Sequence, residues 1–288
     1  MCSALAALKP REEAGTTPRP YALGYSDDEF RRLERQGTYY RDLTEDVLLR
    51  AGIGPGMRVL DIGCGVGDVT LIAARLVGPT GAVVGVDRSA EAIATAAGRI
   101  ARAGYEGTVR FLAADLDGYQ TEPDFDAVIG RLILMYLPDP AGALRRFATC
   151  LRPGGVIAFH EMSMRQARTV PACPLFDRGV GWIMETFIRA GFEIDMGGKL
   201  FAAFRDAGLP APEMISASRV EGGPDAYAYD YLTQTLRSLL PVAERVGTTT
   251  RAEVGIDTLA ARLRAEALGN SACILMPALI GAWARIPA

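Results

Sequence analysis

The chain has 288 residues, 49% of them apolar, enough to bury a complete α/β core as one domain. Its formal charge of −3, with no block of Lys or Arg, excludes a nucleic-acid footprint and leaves small molecules as the expected partners. Five cysteines (Cys2, Cys64, Cys150, Cys173, Cys273), odd in number and never in C-x-x-C spacing, exclude a disulfide framework and a structural zinc site. They fit reduced thiols in the cytoplasm, and no apolar run reaches membrane-spanning length.

Residues 1–22 read as a disordered leader, because no basic residue precedes the short apolar stretch as it would in a signal peptide. The order Ser26, Asp27, Asp28, Glu29 is a capping box that opens a helix or helix pair reaching about Arg50, so 23–51 is expected to form a helical cap. GIGPG at 52–56 breaks it. An apolar strand (Arg58, Val59, Leu60) then enters the glycine-dense turn of VLDIGCGVGDVT at 59–70, followed by an amphipathic helix from about Val66 to Val77. Further strands are predicted at 82–86, 109–112, 125–130 and 156–160, with helices at Ser89–Arg102 and about Pro140–Leu151. Strands alternating with helices at this spacing predict an α/β, Rossmann-like fold, a seven-stranded and mostly parallel sheet with helices on both faces. Helical stretches follow near 174–191 and 197–207, then a strand near 213–220. The core is expected over 52–222 and 271–288, and its last run, ACILMPALIGAWARI, reads as an edge hairpin strand. The helical insert at 223–270 reads either as a lid over the carboxyl edge of the sheet or as an element that forms a homodimer.

The glycine-dense turn indicates a nucleoside cofactor delivered to a helix N-terminus. A dinucleotide fingerprint needs a third small residue three places after its second glycine. Counted from Gly65, that place is Asp68, and a carboxylate beside a diphosphate is unfavourable. The spacing is instead acid-x-Gly-x-Gly-x-Gly, from Asp61 through Gly63, Gly65 and Gly67. In this the chain resembles the class I S-adenosylmethionine (SAM) methyltransferases, of the ubiquinone/menaquinone-biosynthesis-type small-molecule family. The resemblance is close over about 55–160 and loose beyond.

It implies a SAM cofactor and S-adenosylhomocysteine as product. Gly63, Gly65 and Gly67 would let the backbone approach the methionine portion, Asp61 would accept from its amino group, and Asp87 would chelate the ribose hydroxyls. Arg88 would lie along the adenine, Asp115 would accept from its exocyclic amine and the Leu116 amide would donate to a ring nitrogen. After the fourth strand the chain reads GRLILMYLPDP, without the Asn-Pro-Pro-Tyr type motif of relatives that act on nucleobases or amides. Arg131 there is a fixed cation for the SAM carboxylate or a substrate acid, or a structural arginine at a helix end. Tyr25, Gln36 and Tyr40, with Tyr39, sit on the segment that folds over the cofactor mouth in similar enzymes.

The single histidine, His160, ends the fifth strand and is followed by Glu161. Strand ends carry active-site groups in open α/β sheets, so this pair is the candidate general base, with one of the two facing the pocket. Met135, Met162, Met164, Trp182 and Phe187 are candidates for an apolar acceptor pocket or plain core. No metal-ligand spacing is found. The expected function is methyl transfer to an O, N or C nucleophile of a small-molecule acceptor, secondary metabolites included. The alternatives are a methyltransferase-fold cyclase or isomerase that retains SAM, an NAD(P)-dependent oxidoreductase, and a non-enzymatic SAM sensor.

Overall fold

The computed structural model describes residues 23–24, 26–116, 119 and 123–288; the leader 1–22 and Tyr25 lie outside them. Its strands are β1 (Arg58–Ile62), β2 (Ala82–Asp87), β3 (Val109–Ala113), β4 (Phe125–Arg131), β5 (Leu151–Ser163), β6 (Arg168–Val170), β7 (Glu213–Ala217), β8 (Val220–Glu221), β9 (Cys273–Leu275) and β10 (Ala278–Arg285). Its α-helices are α1 (Asp27–Tyr39), α2 (Arg41–Arg50), α3 (Asp68–Val77), α4 (Ala90–Arg102), α5 (Pro140–Ala148), α6 (Pro174–Arg189), α7 (Met196–Asp206), α8 (Ala228–Val246), α9 (Arg251–Val254) and α10 (Leu259–Gly269).

Seven strands form one sheet in the order β3-β2-β1-β4-β5-β10-β7. The first five are parallel, and β10 runs antiparallel to both its neighbours. Both faces of β4 are covered: from Phe125 to Gly130 every residue is buried, Asp126 among them, whose carboxylate accepts from the Arg58 amide at 2.7 Å. Helices α2, α3 and α4 cover one face and α5 and α7 the other. The approach of α2 is close because Gly281 of β10 lacks a side chain; a Cβ there would collide with Val47.

Local chemistry sets the element starts. Ser26 caps α1 by accepting from the Glu29 amide at 3.2 Å, and Ser89 caps α4 by accepting from the Ala92 amide at 3.1 Å. Two expectations are corrected. The final strand β10 is not an edge: it is buried along nearly its whole length and lies between β5 and β7, and the edge falls to the half-exposed β7. The fifth helix stops at Ala148, and the RPGG segment belongs to a long β5 whose register against β4 shifts between Phe125 and Ala127. The predicted 213–220 strand divides into β7 and β8. The latter joins a small sheet, β6-β9-β8, made of strands too short to leave a sequence period. Helices α8 and α10 pack on α6, so the insert and α6 share one helical layer beside the carboxyl edge of the main sheet.

Candidate functional site

A cavity of about 350 Å³ opens at the carboxyl ends of β1, β2 and β4, where an open α/β sheet leaves its crevice. One end is the turn after β1. Gly63, Gly65 and Gly67 adopt left-handed φ of +68°, +52° and +84°, but they face different surroundings. A Cβ at Gly63 would lie 2.7 Å from Ile133, and one at Gly67 would lie 3.1 Å from Ala96; at Gly65 it would meet nothing within 4 Å. Gly65 alone of the three therefore leaves its side-chain space open, while Gly63 and Gly67 make room for the protein's own packing. Gly67 is not on the cavity wall.

Beside this turn the Asp87 carboxylate is held from both sides. Its Oδ2 accepts from the Gly65 amide and its Oδ1 from the Ser89 amide, each at 2.9 Å. Each oxygen keeps a lone pair for a diol. Arg88, Asp115 and Leu116 line the same end. Asp61 lies fully buried behind the turn and off the wall. Its Oδ2 accepts from the Thr70 hydroxyl at 2.6 Å and its Oδ1 has no partner in the protein. Burial pushes its pKa up to about 7, against the Thr70 bond and the Arg131 charge, which lower it. A diol acceptor, an open glycine space and a buried carboxylate oxygen without a donor suit a nucleoside that carries a cationic amino-acid tail.

Helix α1 closes this end with a charged network. Arg32 donates to both oxygens of the buried Glu29, at 2.7 and 2.6 Å, and through Nη1 to Gln36 at 2.7 Å. Asp68, at the start of α3, accepts from Arg99 at 2.6 Å and pairs with Arg131 at 3.6 Å. Its carboxylate fits only because Gly37 of α1 has no Cβ. Gln36, Arg131, Arg32 and Asp68 all reach the wall. Tyr40 does not: its ring is fully buried, 4.8 Å from that of Tyr39 and 6.1 Å from that of Tyr231, and Tyr231 is the tyrosine of this cluster that lines the cavity.

Neither candidate base lies on the wall. His160 sits behind Arg131, with Nδ1 3.3 Å from Thr44 Oγ1. That hydroxyl donates to the Tyr40 carbonyl at 3.1 Å and accepts from Arg131 Nη1 at 3.1 Å, so its remaining lone pair takes the proton on His160 Nδ1. Burial, aided by the Arg131 charge, lowers the imidazole pKa to about 3, which leaves the ring neutral. Glu161, on the opposite face of β5, accepts through Oε1 from the Ile133 and Leu134 amides at 2.9 and 2.8 Å. It braces the loop after β4, and burial raises its pKa to about 7. The structure thus brings neither residue of this pair to the cavity: His160 is engaged by Thr44, and Glu161 holds the loop through Oε1 while its Oε2 is buried with no partner in the protein.

The rest of the wall is mostly apolar. Met135, Met162, Met164 and Phe187 line it as expected, whereas Trp182 does not. Arg32, Tyr231 and Thr235 were not singled out from the sequence. The Glu29, Arg32, Gln36 spacing on one helix face would have flagged the first, while Tyr231 and Thr235 reach the site only through the tertiary placement of α8.

Fold and cavity together define a Rossmann-like α/β protein with a crevice at the carboxyl ends of its parallel strands. Residues 53–180 match the family model described as a methyltransferase domain. A stretch of 127 residues is 40% identical to the aklanonic acid methyltransferase DauC of Streptomyces sp. (strain C5), covering 41% of this chain and 54% of that protein. A stretch of 115 residues is 37% identical to the ubiquinone/menaquinone biosynthesis C-methyltransferase UbiE of Ectopseudomonas mendocina (strain ymp), covering 39% and 44%. The chain thus spans about half the length of the curated relatives it matches. Among solved structures, the [4+2]-cyclase SpnF shares the fold with a TM-score of 0.52 at 23% identity, over 86% of this chain and 80% of that one.

Proposed function

We propose that this protein binds SAM and transfers its methyl group to a small-molecule acceptor, releasing S-adenosylhomocysteine. The observation that carries the reading is the Asp87 carboxylate, fixed by the Gly65 and Ser89 amides beside a glycine whose side-chain space is open cavity. Asp87 would take the ribose diol, Asp115 and Leu116 the adenine edge, and Asp61, behind the turn, the amino group through water. Gln36 and Arg131 would face the carboxylate of the tail. Bound SAM supplies an electrophilic methyl on a sulfonium.

The protein's own contribution is positioning and exclusion of water. In-line displacement requires the reacting atoms to be held about 3 Å apart and aligned, and a walled cavity does this. Arg131 is held rigid by Asp68 and by the Thr44 hydroxyl, which His160 and the Tyr40 carbonyl orient in turn. His160 acts as a positioning residue in this scheme and moves no proton. The acceptor therefore arrives as a competent nucleophile.

A second reading keeps SAM bound without transfer, as a cyclase or isomerase would. It is favoured by one observation: no His, Asp or Glu among the described residues lines the cavity from Leu132 to Pro277. Mass spectrometry separates the two readings. Incubation with SAM and a cell extract of small molecules yields a methylated product and S-adenosylhomocysteine in the first case, and an isomer of unchanged mass in the second.

A further inference from the structure

We infer that the acceptor is a neutral molecule with a largely hydrocarbon body, carrying an oxygen that meets hydroxyl groups on α8. This rests on the methyltransferase reading and names the class of its substrate. The cavity has two unlike halves. Among the described residues, every charged side chain on its wall belongs to α1, to the start of α3 or to the carboxyl ends of β2 to β4: Arg32, Asp68, Asp87, Arg88, Asp115 and Arg131. From Leu132 to Pro277 the wall holds no charged side chain, and it is built from methionine, phenylalanine, leucine, isoleucine and their like. Met135, Met162, Met164, Met184 and Met276 all contribute, and thioether chains adapt to irregular apolar shapes.

A carboxylate or phosphate moved into such a wall loses its hydration without a cation in return. Arg131 does not offset this, because on the proposed reading it faces the carboxylate of the cofactor tail and Asp68 pairs with it as well. The polar groups in the apolar half are Tyr136, Tyr231 and Thr235. Tyr231 and Thr235 are four residues apart, so they share one face of α8. Thr235 is buried, and its Oγ1 has no partner in the protein. A buried hydroxyl left in that state is destabilising, and a ligand oxygen on this face relieves it.

Three molecules with one ring system separate the possibilities: naphthalene, 1-naphthol and 1-naphthoate. Each is titrated at neutral pH by fluorescence into the full chain, with and without S-adenosylhomocysteine. The wild-type protein is expected to bind 1-naphthol best and 1-naphthoate at least about 10-fold more weakly. In Thr235→Val, which keeps the shape of the side chain, the preference for 1-naphthol over naphthalene shrinks by about 3- to 10-fold while S-adenosylhomocysteine affinity stays unchanged. Binding of 1-naphthoate as tight as that of 1-naphthol overturns the neutral-acceptor class, and so does failure of all three to bind. An undiminished 1-naphthol preference in Thr235→Val overturns the role of the α8 hydroxyl. Loss of the cofactor reading registers separately, as absent S-adenosylhomocysteine binding in the same cell.

Discussion

Replacing Gly65 by alanine separates the cofactor-facing glycine from its two neighbours. Its φ of +52° is left-handed, a conformation that costs an L-residue about 1–2 kcal/mol, and the added methyl meets no protein atom within 4 Å. The stability loss should therefore stay near that figure. The methyl enters open cavity, where overpacking against a bound cofactor costs about 1–3 kcal/mol, roughly 5- to 150-fold in affinity. Gly67→Ala reverses the balance. Its Cβ would press on Ala96 at 3.1 Å, away from the cavity, so stability falls by at least as much and cofactor affinity is retained. Urea denaturation followed by circular dichroism gives the first quantity, and calorimetric titration with S-adenosylhomocysteine gives the second. Wild-type affinity in a folded Gly65→Ala protein would refute the assignment of this turn.

Three further outcomes follow from the same geometry. Asp87→Ala should abolish measurable S-adenosylhomocysteine binding and loosen the turn through the loss of two backbone acceptors, which calorimetry and hydrogen exchange at Gly65 and Ser89 would register. His160, neutral in the fold until about pH 3, gives stability that is present above pH 6.5 and is lost as pH falls below it, where the unfolded chain takes up a proton first. The stability difference between His160→Asn and wild type should thus move toward the variant by about 1.4 kcal/mol per pH unit below 6.5, and a flat difference contradicts the buried neutral ring. Glu161 runs the other way: its carboxyl, raised to about 7 by burial, withdraws stability as pH rises from 4.5 through 7. Glu161→Gln keeps an acceptor for the Ile133 and Leu134 amides, and relative to wild type should gain on the order of 3 kcal/mol across that window in denaturant melts.

The parallel half of the fold was legible because its signals are local. Glycine turns, serine caps and largely apolar strands place β1 to β4 and their helices within a few residues and mark the centre of β5. The position of β10 was not, since a strand's neighbours are decided by pairing across the sheet, and an apolar run reads alike at an edge and inside. In the site, Asp87 was named by the resemblance and stands where the strand-end rule puts active-site groups, and the structure brings it to Gly65 at 2.9 Å. His160 shows where that rule stops. A strand end has two faces, and the one His160 takes looks onto α2 and Thr44, which no reading of β5 alone discloses. Asp68 entered as an argument against a dinucleotide; its pairing with Arg99 and Arg131 depends on helices brought together only in the folded chain.

Calorimetric titration of the full chain with S-adenosylhomocysteine, with NADH as the competing nucleoside, tests the central claim most directly. Saturable binding of one S-adenosylhomocysteine per chain, lost in Asp87→Ala and undisturbed by NADH, is the predicted result. No heat with S-adenosylhomocysteine, or saturable binding of NADH in its place, would contradict it.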